Sequence, residues 1–239
     1  MQILAIGNSF SQDATKYLHD IAKCDGEKLT VVNLYIGGCP LSRHYRNMLS
    51  KEKAYSLEFN GASTGFFVNL DEALLSRDWD YITVQQASKS SIDYDTYQPY
   101  LEDLTSYIRM CCPKAKLIMH ETWAYEEGCK ALSDNGFSTG KEMYDALHSA
   151  YGTAAYSMDA YMTIPSGTLF QSLVEKGLNI HRDTQHASFG IGRYALALLW
   201  YTCLTGADCT KNTFNEFDEE ISTEDIETIK NCISSLTKN

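Results

Sequence analysis

Apolar residues fall in short blocks along this chain, and the segments between the blocks carry a different rhythm. Runs at Ile3 to Ile6, Leu29 to Ile36, Tyr81 to Val84 and Leu117 to Met119 are the length of buried strands. Between them, near residues 12 to 24, 95 to 112 and 138 to 151, apolar positions recur at helical spacing, as Tyr17, Leu18 and Ile21 do in the first. The alternation predicts a parallel sheet covered by helices on both faces, a single three-layer α/β/α domain spanning residues 1–239. One segment, AYSLEFNGASTGFFVNL, breaks the rhythm. Its two β-prone halves about Asn60-Gly61 predict a hairpin or loop inserted near residues 53–70. After Ser188, FGIGRYALALLWYTCL is apolar nearly throughout and predicts a helix buried against the sheet, while STEDIETIKNCISSL predicts a terminal amphipathic helix behind a good cap.

In an open parallel sheet, ligands bind outside the carboxyl ends of the strands. The residues that follow each strand here are Gly7-Asn8-Ser9, Gly37-Gly38-Cys39-Pro40, Gln85-Gln86-Ala87-Ser88 and His120-Glu121-Thr122-Trp123. Each set offers polar groups or pliant backbone. Ser9, at a strand-to-helix turn, has two readings: a helix cap completed by Gln12 as a capping box, or a nucleophile.

Composition narrows the classes. The chain is 239 residues long, 44% hydrophobic and 21% charged, and no run of 18 or more apolar residues could span a membrane. A net charge of -11 argues against nucleic acid, because a phosphate backbone is held by clustered Lys and Arg. The eight cysteines form no Cys-x-x-Cys pair, and Cys24, Cys111, Cys203 and Cys232 lie in helix-like segments, which predicts reduced thiols. The first strand follows Met1 almost at once, so a cytoplasmic location is expected. A secretory leader trimmed beforehand would leave the same sequence.

Near the C-terminus, NIHRDTQHASFGIGRY places Asp183 and His186 three residues apart before the apolar helix. A serine hydroxyl needs a base with a pKa near 7 to take its proton, and that base needs a carboxylate on its other nitrogen. Asp-x-x-His in one turn supplies both.

With a serine at the first strand end, this constellation resembles the SGNH, or GDSL-like, hydrolases, and specifically a bacterial branch of largely unknown function. Gly7-Asn8-Ser9 is similar to that family's first block and Asp183 with His186 to its last. Gly38 matches the glycine whose N–H faces the oxyanion. The resemblance implies a flavodoxin-like SGNH fold and a triad of Ser9, His186 and Asp183. It implies an oxyanion hole made by the N–H groups of Ser9 and Gly38 and a third, side-chain donor. The family's Gly-x-Asn block is replaced by VQQASKSS, so the Gln86 amide, or else that of Gln85, is expected to stand in for the asparagine.

The activity implied is hydrolysis of a small-molecule or carbohydrate ester without cofactor or metal. Trp123 and Tyr125, with Gln85, are the expected substrate contacts, their rings offering flat faces to a sugar. A carbohydrate O-acetylesterase is therefore the first reading. A lipase or thioesterase is an alternative, and a non-catalytic carbohydrate-binding module on the same fold is another. Cys39 as nucleophile, and a metal site of His181, Asp183 and His186, are competing readings of neighbouring residues. His120, Glu121, Arg43 and His44 are possible pocket residues with structural roles as the alternative. The chain's oligomeric state is left open.

Overall fold

The structure is a computed structural model describing residues 1–237. Seven strands form one sheet: β1 (Gln2–Gly7), β2 (Thr30–Tyr35), β3 (Tyr55–Phe59), β4 (Ala62–Val68), β5 (Tyr81–Val84), β6 (Lys116–Glu121) and β7 (Met162–Pro165), in the order β4-β3-β2-β1-β5-β6-β7. β2, β1, β5, β6 and β7 run parallel, and β3 and β4 add antiparallel to the edge of β2. The chain leaves β1 toward β2 on one side and later returns to β5 on the other. The sheet's topological switch point therefore lies at the carboxyl ends of β1 and β5, where α/β sheets bind ligands.

The four sequence-predicted strands are all present. β7 escaped the sequence reading because its four residues, MTIP, are too short and mixed to show a period. The inserted segment is a hairpin turning through Asn60 and Gly61, both at positive φ, as a tight two-residue turn requires. The predicted helix near 12–24 is two helices, Ser9–Thr15 and Leu18–Cys24. The break coincides with the hairpin tip, where a Cβ on Gly61 would stand 2.1 Å from the Lys16 carbonyl.

These two helices pack on the helix Ile191–Thr205, while Leu41–Ser50 packs on Tyr100–Cys111, one group on each side of the sheet. Ile191–Thr205 is buried at every residue from Tyr194 to Thr202, as a helix apolar all round must be. The amphipathic helix Thr223–Thr237 covers its outer side with Ile229 and Ile233.

Candidate active site

The strand β1 ends and a helix begins within two residues, and this sets Ser9. Asn8 takes the capping role: its Oδ1 accepts from the Phe10 N–H at 3.0 Å, so the cap belongs to the residue before the serine. Gln12 makes no capping box; it donates to Glu58 of β3 instead. Ser9 is thereby released from capping. Asn8 is itself buried and ties three strand ends together, donating to the Cys39 carbonyl at 3.2 Å and accepting from Gln85 Nε2 at 2.9 Å.

The residues at the two ends of the chain meet. Ser9 Oγ lies 2.8 Å from His186 Nε2, and His186 Nδ1 lies 2.9 Å from Asp183 Oδ2. The second contact fixes the tautomer: Nδ1–H donates to the carboxylate, which leaves Nε2 as the acceptor for the serine hydroxyl. Asp183 also accepts from the His186 and Gln185 N–H groups, at 2.9 and 3.3 Å. Partial burial pushes its carboxyl up, but these donors more than offset it and hold it below the usual 3.8.

A closed loop holds the Asp183–His186 turn. A bridge pairs His181 with Ala187, Arg182 N–H donates to the His186 carbonyl at 3.0 Å, and Thr184 sits at its tip at φ 70°. Beneath it, the fully buried Asp13 of the helix Ser9–Thr15 accepts from Arg182 Nη1 at 2.9 Å and from Arg193 Nε at 2.8 Å. Both guanidinium groups also lie over the Phe189 ring, at 4.7 and 4.5 Å. This cluster went unnoticed in the sequence. The signal was present only as an unpaired acid four residues after Ser9 and two distant arginines.

The pocket at Ser9, about 180 Å³, is lined by Asn8, Ser9, Phe10, Gly38, Ser88, Gln185 and His186. Gly38 is at φ 59°, a conformation that exposes its backbone and that an L side chain would strain. Ser88 follows the third predicted strand but was given no role by the sequence, and Phe10 and Gln185 went unnoticed there.

The expectations for four residues need correction. The Gln86 amide does not line the pocket: it is buried, its Oε1 accepts from the Leu41 and Ala87 N–H groups, each at 2.9 Å, and its Nε2 donates to the Thr96 carbonyl at 3.0 Å. Gln85 is spent likewise, between Asn8 and His120 Nδ1. Trp123 is wholly buried; its ring packs 4.2 Å from Phe10 and its Nε1–H donates to the Gln185 carbonyl at 2.9 Å, so it braces both halves of the site from below. Tyr125 is 5% exposed, with its hydroxyl 2.8 Å from Ser88 Oγ. Neither ring offers an open face to a sugar at the serine.

The competing residues fall away from the chemistry. Burial pushes the Cys39 thiol up to about 12, which keeps it protonated and unreactive. His181 Nε2–H donates to the Ala124 carbonyl, 3.0 Å away, rather than joining Asp183 and His186, and among the described residues no group of three His, Cys, Asp or Glu could hold a metal ion. His120 and His44 are fully buried and both pushed down to about 3, so they stay neutral parts of the core. Tyr125 also lines a larger cavity, about 360 Å³, together with Glu127, Lys141, Tyr144, Phe170 and His181. It is lined by none of Ser9, Asp183 and His186.

Comparison with known proteins agrees with this fold. The profile of a family described as a domain of unknown function, DUF4886, matches residues 2–235. A crystal structure of a DUF4886 family protein from Bacteroides uniformis is similar with a TM-score of 0.91 and 33% identity, covering 98% of this chain and 93% of the other. A protein from Slackia heliotrinireducens, named as a candidate SGNH hydrolase, superposes with a TM-score of 0.61 at 20% identity over 85% of this chain and 98% of its own. The psychrotrophic esterase EstA from Pseudoalteromonas does so at 0.51 and 13%, over 83% and 91%. The last two show a shared fold. No curated protein is matched.

Proposed function

We propose, for a chain that belongs to the DUF4886 family and has the SGNH-hydrolase fold, that it is a serine hydrolase of short-chain acyl esters. The observation that carries this is the continuous hydrogen-bonded path from Asp183 through His186 to Ser9, between groups more than 170 residues apart in sequence. Such a path is hard to explain as a by-product of packing, because Asp183 and His186 are partly exposed at a pocket mouth.

In the reaction, Ser9 Oγ attacks the ester carbonyl carbon while its proton passes to His186 Nε2. Asp183 steadies the imidazolium that forms. The carbonyl oxygen becomes an oxyanion and is held by the Ser9 and Gly38 N–H groups. His186 then gives its proton to the leaving alcohol, and water repeats the sequence on the acyl-enzyme.

The pocket's size favours a small acyl group. About 180 Å³ suits an acetyl group, and the lipase and thioesterase readings need an apolar groove at the serine. The apolar side chains of Phe170, Val174, Leu178 and Ile180 line the other cavity, which does not include Ser9. A carbohydrate as the alcohol is the finer reading, but it loses the support of Trp123 and Tyr125 now that both rings are buried. The non-catalytic reading is disfavoured by the intact triad.

The deciding experiment labels the protein with a fluorophosphonate and assays p-nitrophenyl esters of increasing chain length beside acetylated xylan. Labelling at Ser9, hydrolysis of the acetate and a loss on the order of a million-fold in Ser9→Ala are expected. An unlabelled Ser9 with no ester turnover would overturn the reading.

A further inference from the structure

The oxyanion hole of the proposed reaction has two backbone donors and lacks a side-chain donor, since the Gln86 and Gln85 amides are bonded elsewhere. We infer that the Ser88 hydroxyl, oriented by Tyr125, is the side-chain oxyanion donor of this site; the inference rests on the serine-hydrolase reading above. Ser88 stands at the carboxyl end of β5, across the switch point from Ser9, and lines the same pocket as Ser9, Gly38 and His186.

Its backbone is fixed by the turn it opens. The Ser88 carbonyl accepts from Ser91 Oγ at 2.7 Å and from the Ser91 N–H at 3.3 Å, which fixes where the Cα–Cβ bond starts. The side chain has one protein partner among the described residues, the Tyr125 hydroxyl at 2.8 Å. Tyr125 is 5% exposed, and the Ser88 oxygen is the single protein acceptor in reach of its O–H. A phenol is also the stronger acid of the two hydroxyls and hence the better donor.

The phenol therefore donates to Ser88 Oγ, and the Ser88 hydrogen is left to point into the pocket. Donation into Ser88 polarises its O–H and strengthens the bond it gives. Burial holds the Tyr125 hydroxyl above its ordinary value, so it stays protonated at the pH of the reaction. Ser88 makes and breaks no covalent bond. It gives a hydrogen bond to the carbonyl oxygen as negative charge develops there, while the transferred proton moves from Ser9 to His186 and on to the alcohol.

Ser88→Ala, Ser88→Thr and Tyr125→Phe are assayed with p-nitrophenyl acetate, and their Ser9 labelling rates are measured with a fluorophosphonate. Ser88→Ala is expected to lower kcat by about 100- to 1000-fold with little change in KM, because the lost bond strengthens only in the transition state. Labelling should slow in parallel, since the phosphonyl oxygen occupies the same hole. Ser88→Thr keeps the hydroxyl and should recover most of the rate; Tyr125→Phe should cost about 10-fold, as it removes polarisation but not the donor.

A Ser88→Ala protein of native circular dichroism whose kcat lies within about threefold of the parent overturns the inference and leaves the serine-hydrolase reading intact. Should Ser88→Ala fail to fold, a Ser88→Cys variant, whose thiol is only a weak donor, at the parent's kcat overturns it equally. A parent chain that neither turns over esters nor labels at Ser9 overturns both.

Discussion

Asp183 accepts three hydrogen bonds within one turn, from its own partner's ring and from two backbone N–H groups. The carboxylate is thus oriented before His186 is charged, and that preorganisation is its contribution. Asp183→Asn keeps the size but presents an amide where Nδ1–H must be accepted, which favours the wrong tautomer. A drop in kcat of about 10⁴-fold, with the Tm little changed, is expected by steady-state kinetics and thermal denaturation. Gln86 tests the opposite kind of residue. Truncating it to Ala strips partners from the Leu41 and Ala87 N–H groups in a buried loop, so a loss of about 2 to 4 kcal/mol in urea unfolding is expected. Activity per folded molecule should fall far less than in Ser88→Ala. The sequence made Gln86 and Trp123 attractive because they follow strand ends. Which way a side chain turns there depends on partners such as Thr96 and the Gln185 carbonyl, which lie 10 and 62 residues further along the chain.

At the scale of elements, Ser9, His186 and Asp183 are brought together by helices and loops that the buried Asp13 and the half-buried Arg182 and Arg193 hold together. Asp13 lies four residues after Ser9 on the same short helix, while Arg182 precedes Asp183 and Arg193 sits in the helix that follows His186. Replacing Asp13 with Ala leaves two guanidinium groups without their buried partner, an arrangement that costs about 3 to 5 kcal/mol. Denaturant unfolding checks this. The surviving folded protein should also show a lower kcat, because the turn bearing Asp183 and His186 loses its tie to the helix of Ser9. The inserted hairpin acts on the other side of that helix. Glu58 of β3 is buried, accepts from Asn33 Nδ2 at 2.7 Å and from Gln12, and so links the insertion to the helix behind the nucleophile. The hairpin was legible from Asn60-Gly61 and the β-prone halves around them. Its role was not, since a glutamate at a half-exposed strand position reads as a surface charge.

On the scale of the whole molecule, stability depends on pairs far from the pocket. His148 Nδ1 donates to Glu121 Oε2 at 2.8 Å, and the bond to this buried carboxylate raises the imidazole above 6.5. A histidine with a raised folded pKa stabilises fully below its unfolded value and loses that contribution as pH climbs through the folded one. The Tm gap between the parent and His148→Gln should therefore be widest at about pH 5.5 to 6.5 and close by about pH 9, as calorimetry would show.

Four of the strands, the hairpin, the apolar closing helix and the Asp183-x-x-His186 spacing were contained in the linear chain. They depend on local period, turn chemistry and spacing, which a sequence states directly, whereas the pairing of His186 with Ser9 was expected only from the resemblance to a family. Tertiary structure alone decided which polar groups beside the serine are free. Hydrogen bonding saturates: an amide already bonded to Thr96 cannot serve an oxyanion, and a hydroxyl held by Tyr125 can. Such competition is settled by neighbours brought together only when the sheet closes its two sides around β1.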